Sequence, residues 1–519
     1  MKKCKKVISM LLIVLLLSSL AACSPSGNVS NNGEEKVMVV AASSEPVHFN
    51  GNAVSGAGGY PGANIFSSLF QSSVAGVIIP DLVTKYEVSD DGLTYTFHLH
   101  DNVKWHDNTK FTSADVKFTF DTVIKEKGMN VERFEAVKEI TCPDDNTVVF
   151  NLSKKSAALL SVLSYVSILP KHLYEGTDWL NNPANQKPVG TGAFKFVEHK
   201  KGVSITLEAF DDYFLGRPKI DKIVYKIIPD ENTVVQSYLN GEVDVIDLAA
   251  AVSPAAMPTL EKAPNTKIET MISADRQYLV TNMQKDPWSN VKVRKALAMA
   301  LDRAEMVEKA HKGYAKIAEG FYTPAVSWAY TDKYKLPARD IEKAKKLLDE
   351  AGYKADANGV RIKDAEIVIF QFAVFSDIAK IVQANLKEIG IETTITTLEY
   401  AAWDERLQTG KFDIAVIGGY HGPDPDNMRI RVGTGGILNY MKYSSPVIDG
   451  LLDKGNVETD IKKRAEIYKE FQKVLSEDLP VIPLTEWCYI VITKDNIDGH
   501  YVYLKDTVGS AEYYKINMK

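Results

Sequence analysis

The period of the hydrophobic pattern changes several times along the 519-residue chain, and each change marks an element. "KVMVVAAS" is a short apolar run that reads as a buried strand, and the Gly-rich loop "SSEPVHFNGNAVSGAGGYPGAN" follows it. In "YEVSDDGLTYTFHLHDNVKWHDN" apolar and polar residues alternate around Asp91 and Gly92, which predicts a β-hairpin. The pattern then becomes helical in "TSADVKFTFDTVIKE", where Val116, Phe120, Val123 and Ile124 share a face and Thr112 or Ser113 supplies the N-cap.

From Pro188, "PVGTGAFKFVEHKKGVSITLEAFDDYFLGRPKIDKIVYKIIPD" predicts two or three strands joined by Gly-containing turns. "ENTVVQSYLNGEVDVIDL" predicts a helix closed by Asn240 and Gly241, then a short strand. The second half opens with "VKVRKALAMALDRAEMVEKA", in which Val293, Leu297, Ala300, Leu301, Ala304 and Val307 form one apolar stripe. "DIEKAKKLLDEAGY" and "SDIAKIVQANLKEIG" predict further helices, each opened by an Asp or Ser cap and closed by Gly352 or Gly390. "IETTITTLEY" reads as a strand, "AAWDERLQTG" as a short helix and "KFDIAVIGG" as a continuous apolar strand. Helices alternating with apolar strands predict an α/β lobe with a covered, largely parallel sheet.

The N-terminus changes the picture. Lys2, Lys3, Lys5 and Lys6 precede an apolar run from Val7 to Leu20 that has the proportions of a signal peptide. Residues 1–22 are therefore expected to be removed, and 23–35, rich in Ser, Asn and Gly, to form a flexible tether. Removing residues 1–22, which hold four Lys and no acid, takes the formal charge from −6 to −10 and argues against nucleic acid as a partner. About 480 mature residues exceed what one hydrophobic core covers, so two or three lobes are expected. Cys142 and Cys488 are read as buried thiols, with one long-range disulfide as the alternative. Neither CxxC nor HExxH occurs, so the usual metal spacings are missing and no metal or cofactor is expected.

The stretch "IAVIGGYHGPDPDNMRIRVGTGG" leaves the carboxyl end of an α/β strand, where open sheets keep their ligand crevices. Its Asp424 and Asp426 are candidates for pairing with a ligand ammonium, against the plainer reading of Asp-Pro and Asp-Asn turn chemistry. Tyr420 and His421 are candidates for stacking on or hydrogen-bonding to a ligand. Arg429 and Arg431 alternate with apolar residues, are expected to share one strand-like face, and could each fork onto a carboxylate. Trp403 and Trp487 are expected to line an apolar subsite or to pack in the core. His98, His100 and His106 form a histidine-rich hairpin without a carboxylate or cysteine partner, and a structural role is expected of them.

Several motifs in order resemble the solute-binding proteins of peptide and nickel ABC importers, the family-5 or cluster C group. They are "YTFHLHDNVKWHDNTKFTSADVKFTF", "PVGTGAFKF", "DDYFLGRPKIDKIVYKIIPD", "LNGEVDVID", "VRKALAMALDR" and "AKKLLDEAGY", and the likeness spans about Lys36 to Lys519. Leu20, Ala21, Ala22 and Cys23 likewise resemble a bacterial lipobox, which implies lipidation at Cys23 and an extracytoplasmic, membrane-anchored protein. The resemblance implies an α/β bilobed clamshell of the periplasmic-binding-protein type II-like kind with an extra inserted domain. Lobe I would hold 36–65, 188–282 and 489–519, with 66–187 inserted; lobe II would be 283–488. It also implies a monomer that closes on a ligand, most simply an oligopeptide, and hands it to a membrane permease. Two departures stand out. Asn108 replaces the Gly usual after the His-Asp of the signature turn, and "GGYHGPDPDN" is shortened where peptide binders place an ammonium-pairing Asp, so that His421 and Gly422 stand there. The second departure keeps an oligosaccharide ligand open, as well as a peptide-signal receptor. A hydrolase would need a nucleophile with its base, and no GxSxG, P-loop or zincin motif is present.

Overall fold

The computed structural model describes residues 35–53, 58–72, 78–129, 131–250, 252–420, 424–499 and 513–519. Cys23, the signal peptide, nearly all of the tether and His421 lie outside the described residues.

Strand β1 (Val37–Ala42) starts the main sheet. The chain then leaves it for a four-stranded antiparallel sheet made of β2 (Val83–Val88), β3 (Thr94–Leu99), β4 (Val137–Asp144) and β5 (Thr147–Leu152), ordered β2-β3-β5-β4. The β2–β3 turn is the expected one, with Gly92 at φ 69°. Helix α1 (Ser113–Lys125) is capped by Thr112 in a capping box with Asp115, which decides between the two cap candidates. Asn108 adopts φ 68°, the left-handed conformation that Asn tolerates in place of Gly.

The chain returns through β6 (Phe194–Lys200), β7 (Ser204–Ala209) and β8 (Lys222–Ile227), helix α2 (Glu231–Leu239) and β9 (Val245–Ile246). A long strand, β10 (Thr266–Thr281), leads to α3 (Val291–Ala300), α4 (Ile341–Glu350), β11 (Ile362–Phe370), α5 (Ala373–Glu388) and β12 (Ile391–Leu398). Next come α6 (Tyr400–Gln408), β13 (Ile414–Tyr420), α7 (Arg429–Val432), α8 (Pro446–Val457), α9 (Ile461–Asp478) and β14 (Val481–Lys494). The main sheet runs β12-β11-β13-β10-β14-β9-β1-β8-β7-β6, with the short strand Ala315–Ile317 added to β14.

Three strands of the second half, β11, β12 and β13, are parallel as expected. The sheet is less parallel than the sequence suggests, because β10 runs antiparallel to both β13 and β14. These two long strands pair from Thr266↔Lys494 to Val280↔Val481 and carry register shifts between Ile272 and Arg276 and between Gln277 and Tyr278. Such bulges bend a strand pair. One apolar core gathers residues from Tyr278 to Leu484, and a separate one gathers residues from Met38 to Ile516 that include the inserted sheet. In the sheet order the β10–β14 pair lies between the strands of the first core and those of the second.

The stripe expected from Val293 to Val307 is not one helix. Leu301 turns to ψ 127°, and Asp302 caps a new turn by accepting from the Glu305 N–H at 2.9 Å. Asn385 Oδ1 of α5 accepts from the Asp302 N–H at 2.7 Å and holds the break. Met306 and Ala310 are consequently buried, whereas Ala304 is exposed.

Candidate functional site

Strands β11 and β13 end side by side, as parallel strands entering the same crevice must. Phe370 closes β11, two residues later Phe372 precedes α5, and Phe375 in the first turn of that helix folds back so that its ring centroid lies 4.5 Å from that of Phe370. Strand β13 is buried from Ile414 to Ile417 and then reaches Gly418 and Gly419. A Cβ at Gly418 would stand 2.7 Å from Phe375 Cζ, and one at Gly419 would stand 2.6 Å from Arg431 Nη2. The glycine pair therefore admits an aromatic ring and a guanidinium against the strand end.

A cavity of about 380 Å³ opens there. Phe370, Phe372 and Phe375 form one wall, Tyr400 and Trp403 of α6 with Tyr440 another, and Trp487 of β14 a third. The rings touch in series: Trp403 lies 5.3 Å from Phe370 and 5.7 Å from Tyr440, and Phe372 lies 6.1 Å from Trp487. Arg431 lines the cavity and is the sole charged side chain among its described lining residues. The Tyr440 hydroxyl donates to Asp404 Oδ1 at 2.6 Å, and burial together with that carboxylate pushes its phenol well above the usual range. Arg276 and Glu486 form a buried ion pair at 2.6 Å across β10 and β14, and Arg276 also donates to Gly320 O at 2.7 Å.

The two arginines of the loop do not share a strand-like face. Residues 429–432 form a helical turn, which places positions two apart on opposite sides. Arg431 turns to the aromatic cavity; Arg429 turns away, to Asp426 Oδ1 at 3.1 Å and Asp453 Oδ1 at 2.9 Å. Asp424 accepts from both Nη atoms of Arg464, each at 2.8 Å, and caps the 3-10 turn Pro425–Met428 by accepting from the Asp426 N–H at 2.9 Å. Burial pushes the Asp426 carboxyl up, with Arg429 working against it.

Asp424, Asp426 and Arg429 line a second cavity of about 430 Å³, together with Arg133, Glu135, Lys154 and Lys155 from around β4 and β5. Next to it, the Ala157 N–H donates to Asn456 O at 2.8 Å, joining the segment after β5 to α8 by a backbone bond. Of the residues that the sequence singled out, Trp403, Arg431 and Trp487 come together in the aromatic cavity, and Asp424, Asp426 and Arg429 in the polar one. Tyr420 ends β13, but its side chain is not among those described.

Sequence reasoning missed Phe370, Phe372, Phe375, Tyr400 and Tyr440. Their signal was position: Phe370 and Phe372 sit at the carboxyl end of an apolar strand, where ligand crevices form.

His98 lies 3.7 Å from Glu87, the His100 ring packs 5.1 Å from Phe214, and His106 Nε2 donates to Gly192 O at 2.9 Å. Among the described residues no group of three or more His, Cys, Asp or Glu could hold a metal ion. Cys142 and Cys488 are both free thiols, the latter pushed up to about 11 by burial.

The family model described as "Bacterial extracellular solute-binding proteins, family 5 Middle" matches residues 77–438. The chain belongs to this family. It is 32% identical over 448 residues to the oligopeptide-binding protein AppA of Bacillus subtilis, covering 82% of this chain and 81% of that one. The crystal structure of the ABC transporter substrate-binding protein CtaP of Listeria monocytogenes superposes with a TM-score of 0.84 at 28% identity, covering 94% of this chain and 100% of that one. NikZ of Campylobacter jejuni, solved with Ni(L-His), gives 0.78 at 26% identity, covering 93% and 100%. This family-5 chain accordingly has the bilobed α/β fold of ABC-transporter substrate-binding proteins and is not an enzyme. Among the described residues no helix is long and apolar enough to cross a membrane.

Proposed function

We propose that this chain is the lipid-anchored, extracytoplasmic capture subunit of an ABC importer, which takes oligopeptides into the cleft between its lobes and delivers them to a membrane permease. The observation that carries the reading is the aromatic cavity with its guanidinium at the carboxyl ends of β11 and β13. A pre-formed, mostly apolar pocket with few polar groups is what a small-solute site needs. The likeness to an oligopeptide-binding relative supports peptide as the ligand class. Anchoring rests on Cys23 after Leu20, Ala21 and Ala22, and the separate cores support lobe I as 36–65, 188–282 and 489–519, an insert at 66–187, and lobe II as 283–488. The protein acts as a monomer. Closure is favoured only by contacts that ligand makes with both lobes at once.

A second reading, an oligosaccharide ligand, is favoured by the ring-lined walls, because sugars stack on aromatic faces. Uptake of labelled peptide and labelled oligosaccharide pools by cells with and without this chain tests both. Peptide uptake that falls with loss of the chain, and equally with loss of the neighbouring permease, supports peptide import. Loss of oligosaccharide uptake alone replaces the ligand. A peptide response that persists without the permease makes the chain a signal receptor.

A further inference from the structure

We infer that the aromatic cavity is a specificity pocket for one aromatic side chain of the ligand, read by ring-to-ring contact, with Phe372 and Tyr400 as the residues that set the preference. This rests on the peptide-capture reading above and adds which peptides are captured.

The composition of the wall is the first reason. Seven of the eleven described lining residues are aromatic, and the others are Gly418, Gly419, Leu438 and Arg431. The two glycines add no side chain, so the space between the rings stays open. Both edges and faces are offered there: Trp403 and Tyr400 meet the Phe370 ring at 63° and 85°, whereas Phe372 lies at 23° to it. An incoming ring therefore finds partners for edge-to-face and for offset-stacked contact, and such pairs add to what burial of the same area gives. A branched aliphatic side chain fills the space without them.

Exposure is the second reason. Phe372 and Tyr400 line the cavity yet are 42% and 61% exposed, which puts them at its mouth. Both pack on Phe370, with centroids 6.1 Å and 5.9 Å away, so their positions are fixed although their outer faces meet water. Exposed apolar surface gathered around a pre-formed cavity marks a binding site, and a ligand ring that enters covers these two faces last. Size and charge complete the case. A volume of about 380 Å³ lies at the small end of the range for ligand pockets, with room for one large side chain but not for a run of residues or sugar rings. The described lining holds no acidic side chain, and its one charge is the cation Arg431. A Lys or Arg side chain would meet that like charge, whereas a neutral ring can take a guanidinium against its face, a contact that leaves the guanidinium N–H groups bonded as they are. The ligand class is therefore a peptide with a Phe, Tyr or Trp side chain at one defined position.

The test uses the detergent-solubilised full-length protein in equilibrium dialysis against tripeptides in which Xaa replaces one Ala of Ala-Ala-Ala at each position in turn. Xaa is Phe, Tyr, Trp, Leu, Lys or cyclohexylalanine, which has the outline of Phe without its π-system, and a neutral oligosaccharide pool is added. The expected result is that at one position the three aromatic residues bind about tenfold to a hundredfold more tightly than Ala, as burial of such a side chain implies. At that position Phe should exceed Leu and cyclohexylalanine by about threefold to tenfold, the worth of a ring pair. Equal binding of Phe, Leu and cyclohexylalanine at every position would overturn the ring reading while leaving peptide capture standing. A preference for Lys would overturn it too, by making the rings a cage for a cation. Retention of oligosaccharide in place of every peptide would sink peptide capture itself. Phe372→Ala and Tyr400→Ala remove exposed rings and should leave the fold intact; each should cut the ratio of Phe to Ala binding by about threefold or more. Folded variants that both keep the full ratio would overturn the assignment of the preference to this pair. Should either fail to fold, the comparison of tripeptides on the natural protein decides alone.

Discussion

A Cβ on Gly419 would stand 2.6 Å from Nη2 of Arg431, so the backbone of β13 and the guanidinium occupy ground that any other residue would claim. Gly419 also adopts φ 144°, which side-chain-bearing residues rarely take. Gly419→Ala should destabilise by roughly 1–3 kcal/mol through backbone strain and weaken ligand binding about tenfold by pushing Arg431 out of place. Gly410→Ala is the matched control, because Gly410 has φ 68° but its nearest would-be neighbour is 3.6 Å away. Urea unfolding and peptide titration of both variants check the pair. Equal affinity in the two would detach Gly419 from the site.

Asp424→Asn tests whether the acidic loop holds ligand or holds the fold. The carboxylate and Arg464 are 11% and 6% exposed, and Arg464 loses its bidentate partner when Asp424 is neutralised. Removing one partner of a buried pair costs roughly 3–5 kcal/mol. The expected outcome is a lower urea midpoint with peptide affinity changed less than about twofold, since Asp424 does not line the aromatic cavity. A large affinity loss at unchanged stability would bring the ligand to this loop instead.

Much of the fold was legible in local pattern. The hairpin around Asp91 and Gly92, the capped α1 and the helix opened by Asp340 are set by residues adjacent in sequence, so periodicity and turn chemistry sufficed. The break after Leu301 was not legible, because it depends on Asn385 from another helix accepting the Asp302 N–H. Helix α5 begins at Ala373 without a side-chain cap, one turn before Ser376, since burial of Val374 and Phe375 outweighs the missing cap. At the site, Arg429 and Arg431 looked like one face because alternation was read as strand, and a short helical turn separated them. The phenylalanines were hidden for the opposite reason: a Phe at a strand end looks the same whether it faces core or crevice.

Trp403→Phe separates binding from stability in the cavity wall. Phe keeps the ring against Phe370 and Tyr440 but removes an N–H that has no partner among the described residues. Affinity should fall up to about tenfold, the worth of one hydrogen bond to the ligand, while the melting temperature stays nearly constant. A drop in melting temperature with affinity intact would make Trp403 a packing residue.

Acid should cost stability through His311. Its ring is fully buried, Nε2 lies 3.2 Å from Thr485 Oγ1, and Nδ1 has no partner among the described residues. Because the Thr485 hydroxyl donates to Gln277 Oε1, its oxygen accepts from His311 Nε2–H, and a second proton would enter at the unpartnered Nδ1. Burial holds the imidazole down at about 4 against an ordinary 6.5. Between those values the unfolded chain binds the proton and the folded one does not, so stability rises with pH and falls as pH drops from 6.5 toward 4. The slope is roughly 1.4 kcal/mol per pH unit. Asp81 opposes it, since burial raises that carboxyl to about 7 and favours the folded state at low pH. The measurement is therefore the difference between the natural protein and His311→Gln in urea unfolding from pH 7 to 5. The natural protein should lose ground to the variant as pH falls, and parallel curves would show that His311 takes up its proton without penalty.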